Sequence, residues 1–136
     1  MPFWIAIDDE DSDYSVVLED DDRVAYGYLL DRAQQGSSEP LIVGDVWLYN
    51  VLAAPGSVVA PSADGDPPLN AAECVLAAPV TRLEDAGKIE PRWATDGEQR
   101  VVDLFVDGVL YARLASGSLP GWSRLACRES PIALPL

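Results

Sequence analysis

Residues 101–114 read VVDLFVDGVLYARL, two runs of β-prone, mainly apolar residues joined by Asp107-Gly108. An Asp-Gly connection of this length is typical of a type I′ turn, because both of its central positions take positive φ. The sequence therefore predicts a β-hairpin. Its expected register pairs Val106 with Val109, Leu104 with Tyr111, and Phe105 with Leu110. Both faces are mainly apolar, so we expect the hairpin to be buried between layers.

Similar β-like runs occur on both sides of a proline-rich middle. A run from Ile89 to Trp93, turning at Asp96-Gly97, would join the hairpin in one antiparallel meander. A second meander is predicted over residues 1–50, with Glu19 to Asp22 forming the turn before its third strand. Its four strands are expected at Phe3 to Ile7, Tyr14 to Leu18, Val24 to Leu30 and Leu41 to Tyr49.

The connection between the meanders spans residues 51–88 and contains five prolines together with the turn-forming run Asp64-Gly65-Asp66. At most one short helix is expected there, because Asn70 and Glu73 have the spacing of a capping box and Pro79 would end it. The sequence thus predicts one mainly β domain over residues 1–136. Residues 1–50 and 89–136 would form its two meanders, arranged as a small sandwich or open barrel.

Charge is distributed unevenly along the chain. The net charge is −14, and residues 1–68 hold 14 Asp and Glu against two Arg. Such a field repels nucleic acid and anionic lipid and attracts basic proteins. The amino terminus has no basic segment, and no apolar run approaches the roughly 18 residues of a membrane span. We therefore expect a soluble, cytoplasmic protein with no direct contact to nucleic acid or membrane.

Nine of the carboxylates fall within residues 8–22, on two predicted turns that would lie near each other in a meander. They belong to Asp8, Asp9, Glu10, Asp11, Asp13, Glu19, Asp20, Asp21 and Asp22. One interpretation is an electrostatic docking surface for a basic protein, since complementary charge accelerates association. The other is solubility alone.

No metal or cofactor site is expected. Asp9, Asp11, Asp13 and Asp20 resemble the first, third, fifth and twelfth ligands of an EF-hand. However, Tyr14 stands where the sharp turn requires Gly, and β-like runs replace the flanking helices. The chain contains no His, and Cys74 and Cys127 lack a CxxC spacing, so free thiols are predicted.

A second candidate site lies in the fourth predicted strand, where period two places Asp45, Trp47 and Tyr49 on one face. Aromatic core is the default interpretation, but an acid beside two large aromatics is also typical of a recognition patch or ligand pocket. Without His, acid–base catalysis would fall to carboxylates, such as Asp45 with Asp103 if their strands adjoin. A cavity lined by Trp47, Tyr49 and Asp103 would favour this hypothesis.

These observations favour a non-enzymatic acidic binding protein that inhibits or neutralises a basic protein partner. The partner would be a toxin or a nucleic-acid-binding enzyme. In size and charge the chain is similar to small acidic bacterial immunity proteins and inhibitors that plug toxin active sites, although no motif supports this similarity. Two alternatives remain: a small-molecule-binding or carboxylate-dependent enzyme using Asp45, Trp47 and Tyr49, and a structural subunit of a homo-oligomer, such as a homodimer, joined through strand edges.

Overall fold

Two sheets packed face to face make up the protein in a computed structural model that describes residues 2–33, 41–56 and 67–136. The first sheet has the order β1-β2-β3-β4, and the second has the order β5-β6-β7-β8-β9. The strands are β1 (Phe3–Asp8), β2 (Tyr14–Asp20), β3 (Val24–Asp31), β4 (Leu41–Asn50), β5 (Ile89–Asp96), β6 (Gln99–Val106), β7 (Val109–Ala115), β8 (Trp122–Ser123) and β9 (Leu134–Pro135). The predicted mainly β, two-meander sandwich is confirmed.

The turn between β2 and β3 is shorter than expected. Glu19 and Asp20 are the last residues of β2, and the turn begins at Asp21. The Asp21 carboxylate accepts hydrogen bonds at 2.9 Å from the backbone N–H groups of Arg23 and Val24. An Asp side chain that satisfies its own turn in this way allows the chain to reverse within three residues.

The hairpin at residues 101–114 forms around its Asp-Gly turn, with φ of 49° at Asp107 and 82° at Gly108. Val106 faces Val109 and Phe105 faces Leu110, but Leu104 faces Ala112. The predicted pairing of Leu104 with Tyr111 is wrong, because Tyr111 is the extra residue of a β-bulge. Burial between layers is also wrong for one face. The side facing the first sheet is buried at Val102, Leu104 and Val106, whereas the opposite side remains partly exposed.

The predicted capping box is not formed. A 3₁₀ turn of three residues, Ala72–Cys74, lies where the helix was expected, and no side chain caps it. Asn70 is instead buried, and its backbone N–H donates to the Asn50 side chain at 2.8 Å. A second 3₁₀ turn spans Leu83–Asp85. The predicted Asp64-Gly65-Asp66 turn lies outside the described residues.

The sandwich is closed along β4 and open along β1 and β5. Beside β4, the Gly121 N–H donates to the Asp45 carbonyl at 2.7 Å, and the Trp47 N–H donates to the Ile132 carbonyl at 2.9 Å. These bonds cover the outer edge of β4 with the carboxyl-terminal segment. The remaining sheet edges are β1, β5 and the two-residue strand β9. Within the described ranges, no helix has the length and apolar character needed to cross a membrane.

Candidate partner-binding site

The two acidic turns lie at opposite ends of β2. Asp8 pairs with Ser15 at one end of the strand, and Asp20 pairs with Ala25 at the other. Seven residues separate the ends by roughly 20 Å. The expectation that the turns lie near each other is wrong, because consecutive turns of a meander alternate between the two ends of the sheet. The nine carboxylates therefore form two separate groups.

One group is enlarged by residues from elsewhere in the chain. The Arg32 N–H donates to the Asp13 carbonyl at 2.8 Å, which places the end of β3 beside the β1–β2 turn. The β5–β6 turn is brought there by Arg100, which contacts Asp9 as well as Thr95. We call this surface the acidic end. It comprises Asp8, Asp9, Glu10, Asp11, Asp13, Asp31, Asp96 and Glu98, with Arg32 and Arg100.

Asp9 anchors the β1–β2 turn to the second sheet. Only 4% of its surface is exposed, and its Oδ2 lies 2.6 Å from Nη2 and 2.8 Å from Nε of Arg100. Burial raises the pKa of Asp9, but hydrogen bonds from Ser12, the Asp11 N–H and Arg100 outweigh it and hold the pKa below its usual range. Asp9 is therefore a charged structural group that has no freedom to contact a partner.

A groove of about 370 Å³ opens at the acidic end. It is lined by residues 8–11 of the first sheet and its β1–β2 turn, and by Pro91, Trp93 and Arg100 of the second sheet. The Arg100 guanidinium lies 5.8 Å from the centre of the Trp93 ring. Glu10 and Asp11 are exposed and form no ion pair with any described residue. A groove that is lined by an aromatic ring and by carboxylates without an ion-pair partner provides the groups that bind an ammonium or guanidinium ion.

At the opposite end of the sheet, most of the acids are paired with arginines. Asp20 is fully buried and accepts hydrogen bonds from Nε and Nη2 of Arg82, both at 3.0 Å, and from the Tyr49 hydroxyl at 2.6 Å. Burial raises the pKa of Asp20, but these bonds outweigh it and lower the pKa below its usual range. Arg82 also pairs with Asp22, at 2.9 Å, and with Glu84. Asp21 pairs with Arg23 at 3.5 Å.

The specific roles of Arg82 and Arg100 were not predicted from the sequence. No local signal identifies them. Each reaches its carboxylate across the sandwich, and the separation along the chain is 62 residues for Asp20 and 91 for Asp9. Glu19, the remaining acid of this group, is half-buried on the outward face of β2 and lies opposite Trp4 and Tyr26 in the register.

The aromatic candidate in β4 does not form the predicted shared face. Leu48 is an extra residue in the pairing with β3, so Trp47 faces Tyr26 whereas Tyr49 faces Ala25. Neighbouring residues of a strand point to opposite faces, which places Trp47 and Tyr49 on opposite sides of the sheet. Both are buried. The Trp47 indole N–H donates to the Asn50 side chain at 2.9 Å, and the Tyr49 hydroxyl donates to the Asp20 carboxylate.

Asp45 is a half-buried acid opposite Tyr28, whose ring stacks on Tyr26 at a centroid distance of 6.0 Å. Burial raises the pKa of Asp45, and no described residue donates a hydrogen bond to its carboxylate. Asp103 lies in the other sheet and is paired with Arg113 at 2.6 and 3.0 Å. The carboxylate pair Asp45–Asp103 is therefore not formed, and Asp103 does not line a common cavity with Trp47 and Tyr49.

The two cysteines are also candidate reactive groups. Cys74 is buried and Cys127 exposed; both are free, and the Cys127 N–H donates to the Cys74 carbonyl at 2.9 Å. Burial raises the pKa of the Cys74 thiol, which makes it a poor nucleophile. Across residues 2–33, 41–56 and 67–136, no three Asp, Glu or Cys side chains are grouped in a way that would hold a metal ion.

Comparison of the chain with protein-family models, with curated proteins and with solved structures found no match. Function is therefore inferred from the chain's own residues.

Proposed function

We propose that the protein is a non-enzymatic binding protein that recognises a basic protein partner through its acidic end. The observation on which this rests is the contrast between the two ends of the first sheet. At the Asp20 end, Arg82 and Arg23 form ion pairs with the neighbouring carboxylates. At the acidic end, Glu10, Asp11 and Asp13 are exposed and have no ion-pair partner among the described residues.

The proposed contact surface is narrower than the set of acids singled out in the sequence. Glu10, Asp11 and Asp13 would contact the partner directly, with Asp8 at the groove and Asp96 and Glu98 at its margin. Asp9 is a positioning residue, because Arg100 and Ser12 already occupy its oxygens. Asp20, Trp47 and Tyr49 support the fold from buried positions.

The chemistry of recognition follows from the groove. A Lys or Arg side chain entering it would lie near Glu10, Asp11 and Trp93, which line the groove. Each exposed ion pair is worth little by itself, about 0 to 1 kcal/mol. A group of like charges nevertheless steers a basic partner from a distance and raises its association rate. Covering the basic active surface of a toxin or a nucleic-acid-binding enzyme would inhibit it.

Growth rescue tests this function in cells. The genes adjacent to the one that encodes this protein are screened for a basic protein whose expression stops growth. The two proteins are then co-expressed. We expect rescue by the native chain and loss of rescue by the variant Glu10→Gln/Asp11→Asn/Asp13→Asn. The matched control, Glu73→Gln/Asp85→Asn/Glu129→Gln, removes the same charge from exposed positions elsewhere. Full rescue by the first variant, or equal loss in the control, would contradict the proposal.

A further inference from the structure

The β1 strand presents one unpaired edge. The Asp9 N–H donates to the Tyr14 carbonyl at 2.9 Å, which fixes the phase of the β1–β2 ladder. Hydrogen-bonded and non-hydrogen-bonded pairs alternate in an antiparallel ladder, so the backbone groups of Trp4, Ala6 and Asp8 point away from β2. No backbone group of a described residue bonds to Trp4 or Ala6 along this edge.

The other sheet edges are protected, and β1 is not. β5 contains Pro91 between the charged residues Glu90 and Arg92, and the free edge of β4 is covered by Gly121 and Ile132. β9 is only two residues long and contains Pro135. Proline and charge are the usual devices that prevent a sheet edge from pairing with another chain. β1, with the sequence FWIAID, has no Pro and no charge before Asp8, and 62% of the Trp4 surface is exposed.

Acidic side chains flank this edge at both ends. The acidic end begins at Asp8, and Glu19 lies beside Trp4 in the register, with Asp21 in the turn that follows. We infer that β1 accepts an extended segment of the basic partner as an added strand, an inference that rests on the proposed function. The charge selects a segment with Lys or Arg at both ends. A second copy of this chain is disfavoured because two molecules of charge −14 repel each other.

The register specifies the segment in more detail. Its backbone N–H and C=O groups pair with those of Trp4, Ala6 and Asp8, and about six residues match the strand. Trp4 and Ala6 share the outward face of β1, so an apolar residue of the segment lies against the Trp4 ring. Lys or Arg beyond the paired stretch reaches Glu10 and Asp11 at one end and Glu19 at the other.

The experiment uses a synthetic peptide of about six alternating Val and Thr residues with a pair of Lys at each end, and a Glu-flanked peptide as its counterpart. Binding to the native chain and its variants is measured by fluorescence anisotropy. Ala6→Pro removes one outward N–H but leaves the bonds between β1 and β2 in place. Ala6→Thr is the matched control and keeps that N–H.

We expect the Lys-flanked peptide to bind the native chain and Ala6→Thr, and to bind Ala6→Pro about tenfold more weakly, the effect of losing a backbone hydrogen bond and introducing a clash. The Glu-flanked peptide should not bind. Hydrogen exchange of the native chain gives a readout that does not depend on the folding of Ala6→Pro: the amides of Trp4 and Ala6 should become protected when the Lys-flanked peptide is added.

Unchanged amide exchange at Trp4 and Ala6 overturns the inference, as does equal peptide affinity for Ala6→Pro and Ala6→Thr. If the partner's affinity falls on neutralising Glu10, Asp11 and Asp13 but β1 gains no protection, strand addition is wrong and the proposed function stands. If neutralising these three residues also leaves the partner's affinity unchanged, both strand addition and the proposed function are wrong. Gel filtration that shows a dimer dissociated by Ala6→Pro would assign the edge to a second copy and overturn the choice of partner.

Discussion

Asp20 accepts two hydrogen bonds of 3.0 Å from the guanidinium of Arg82, 62 residues further along the chain. The same carboxylate accepts the Tyr49 hydroxyl, which in turn accepts a bond of 2.8 Å from the Leu83 N–H. One buried acid thus connects β2, β4 and the turn at Leu83–Asp85. The acidic residues therefore differ in their surroundings: Asp20 and Asp9 are buried and hold the fold, whereas Glu10, Asp11 and Asp13 are exposed, and we propose that these three contact a partner.

Replacing the buried acid should destabilise the fold. We expect Asp20→Asn to lower the free energy of unfolding by about 2 kcal/mol, less than for a fully buried pair because part of Arg82 is exposed. Glu19→Gln, at the adjacent position, should change it by no more than about 0.5 kcal/mol. Urea unfolding measures both. Equal effects of the two changes would show that Asp20 has no special structural role.

Acid should weaken the same contacts. Because the pKa values of Asp9 and Asp20 are lowered in the folded state, the unfolded chain binds protons more readily in acid. Their stabilisation is complete above the ordinary carboxyl pKa of about 3.9 and is lost as the pH falls towards the lowered values. Unfolding free energies measured below about pH 5 should decline less steeply for Asp20→Asn than for the native chain. Parallel pH profiles would contradict this.

Asp45 should affect the free energy of unfolding in the opposite direction. Burial raises its pKa, so the ionised carboxylate opposes folding at neutral pH. Asp45→Asn should raise the free energy of unfolding by about 1 kcal/mol at pH 7. The gain should disappear as the pH falls below the ordinary carboxyl pKa, where Asp45 is protonated in both states. A stability loss at pH 7 would indicate that the carboxylate has a stabilising role.

The closed side of the sandwich depends on close backbone approach at Gly121. A Cβ at this position would lie 2.5 Å from the Arg113 carbonyl oxygen. Backbone cannot yield as a flexible side chain does, so Gly121→Ala should lower the free energy of unfolding by about 2 kcal/mol. Gly56→Ala is the control, since nothing lies within 4 Å of a Cβ there. Thermal unfolding of the two variants should differ clearly, and matching midpoints would refute the packing at this edge.

Local pattern predicted the strands but not the contacts between them. Period-two runs and the Asp107-Gly108 turn identified the hairpin and the first meander, because these features depend on neighbours along the chain. Period two fails at a bulge. The extra residues Leu48 and Tyr111 changed the face on which Tyr49 lies and the partner of Leu104. No rule of local sequence places a bulge, which responds to sheet curvature and packing.

The candidate site was predictable only in part. Charge density marked residues 8–13 as an exposed acidic turn, which is correct for Asp8, Glu10, Asp11 and Asp13. It gave the same weight to Asp9 and Asp20, which are buried. Whether an acid is exposed or paired depends on arginines that are distant in the sequence, Arg82 in the connection between the sheets and Arg100 in β6. The separation of the two acidic turns, in contrast, follows from meander geometry and from the length of β2 alone.

The central claim is that the unpaired carboxylates of the acidic end bind a basic protein. Titration calorimetry with the purified partner identified by growth rescue tests it most directly. We predict that Glu10→Gln/Asp11→Asn/Asp13→Asn weakens the affinity by about tenfold or more, whereas Glu73→Gln/Asp85→Asn/Glu129→Gln changes it by less than about threefold. Added salt should reduce the native affinity and shrink this difference. Equal affinity of the two variants would contradict the claim.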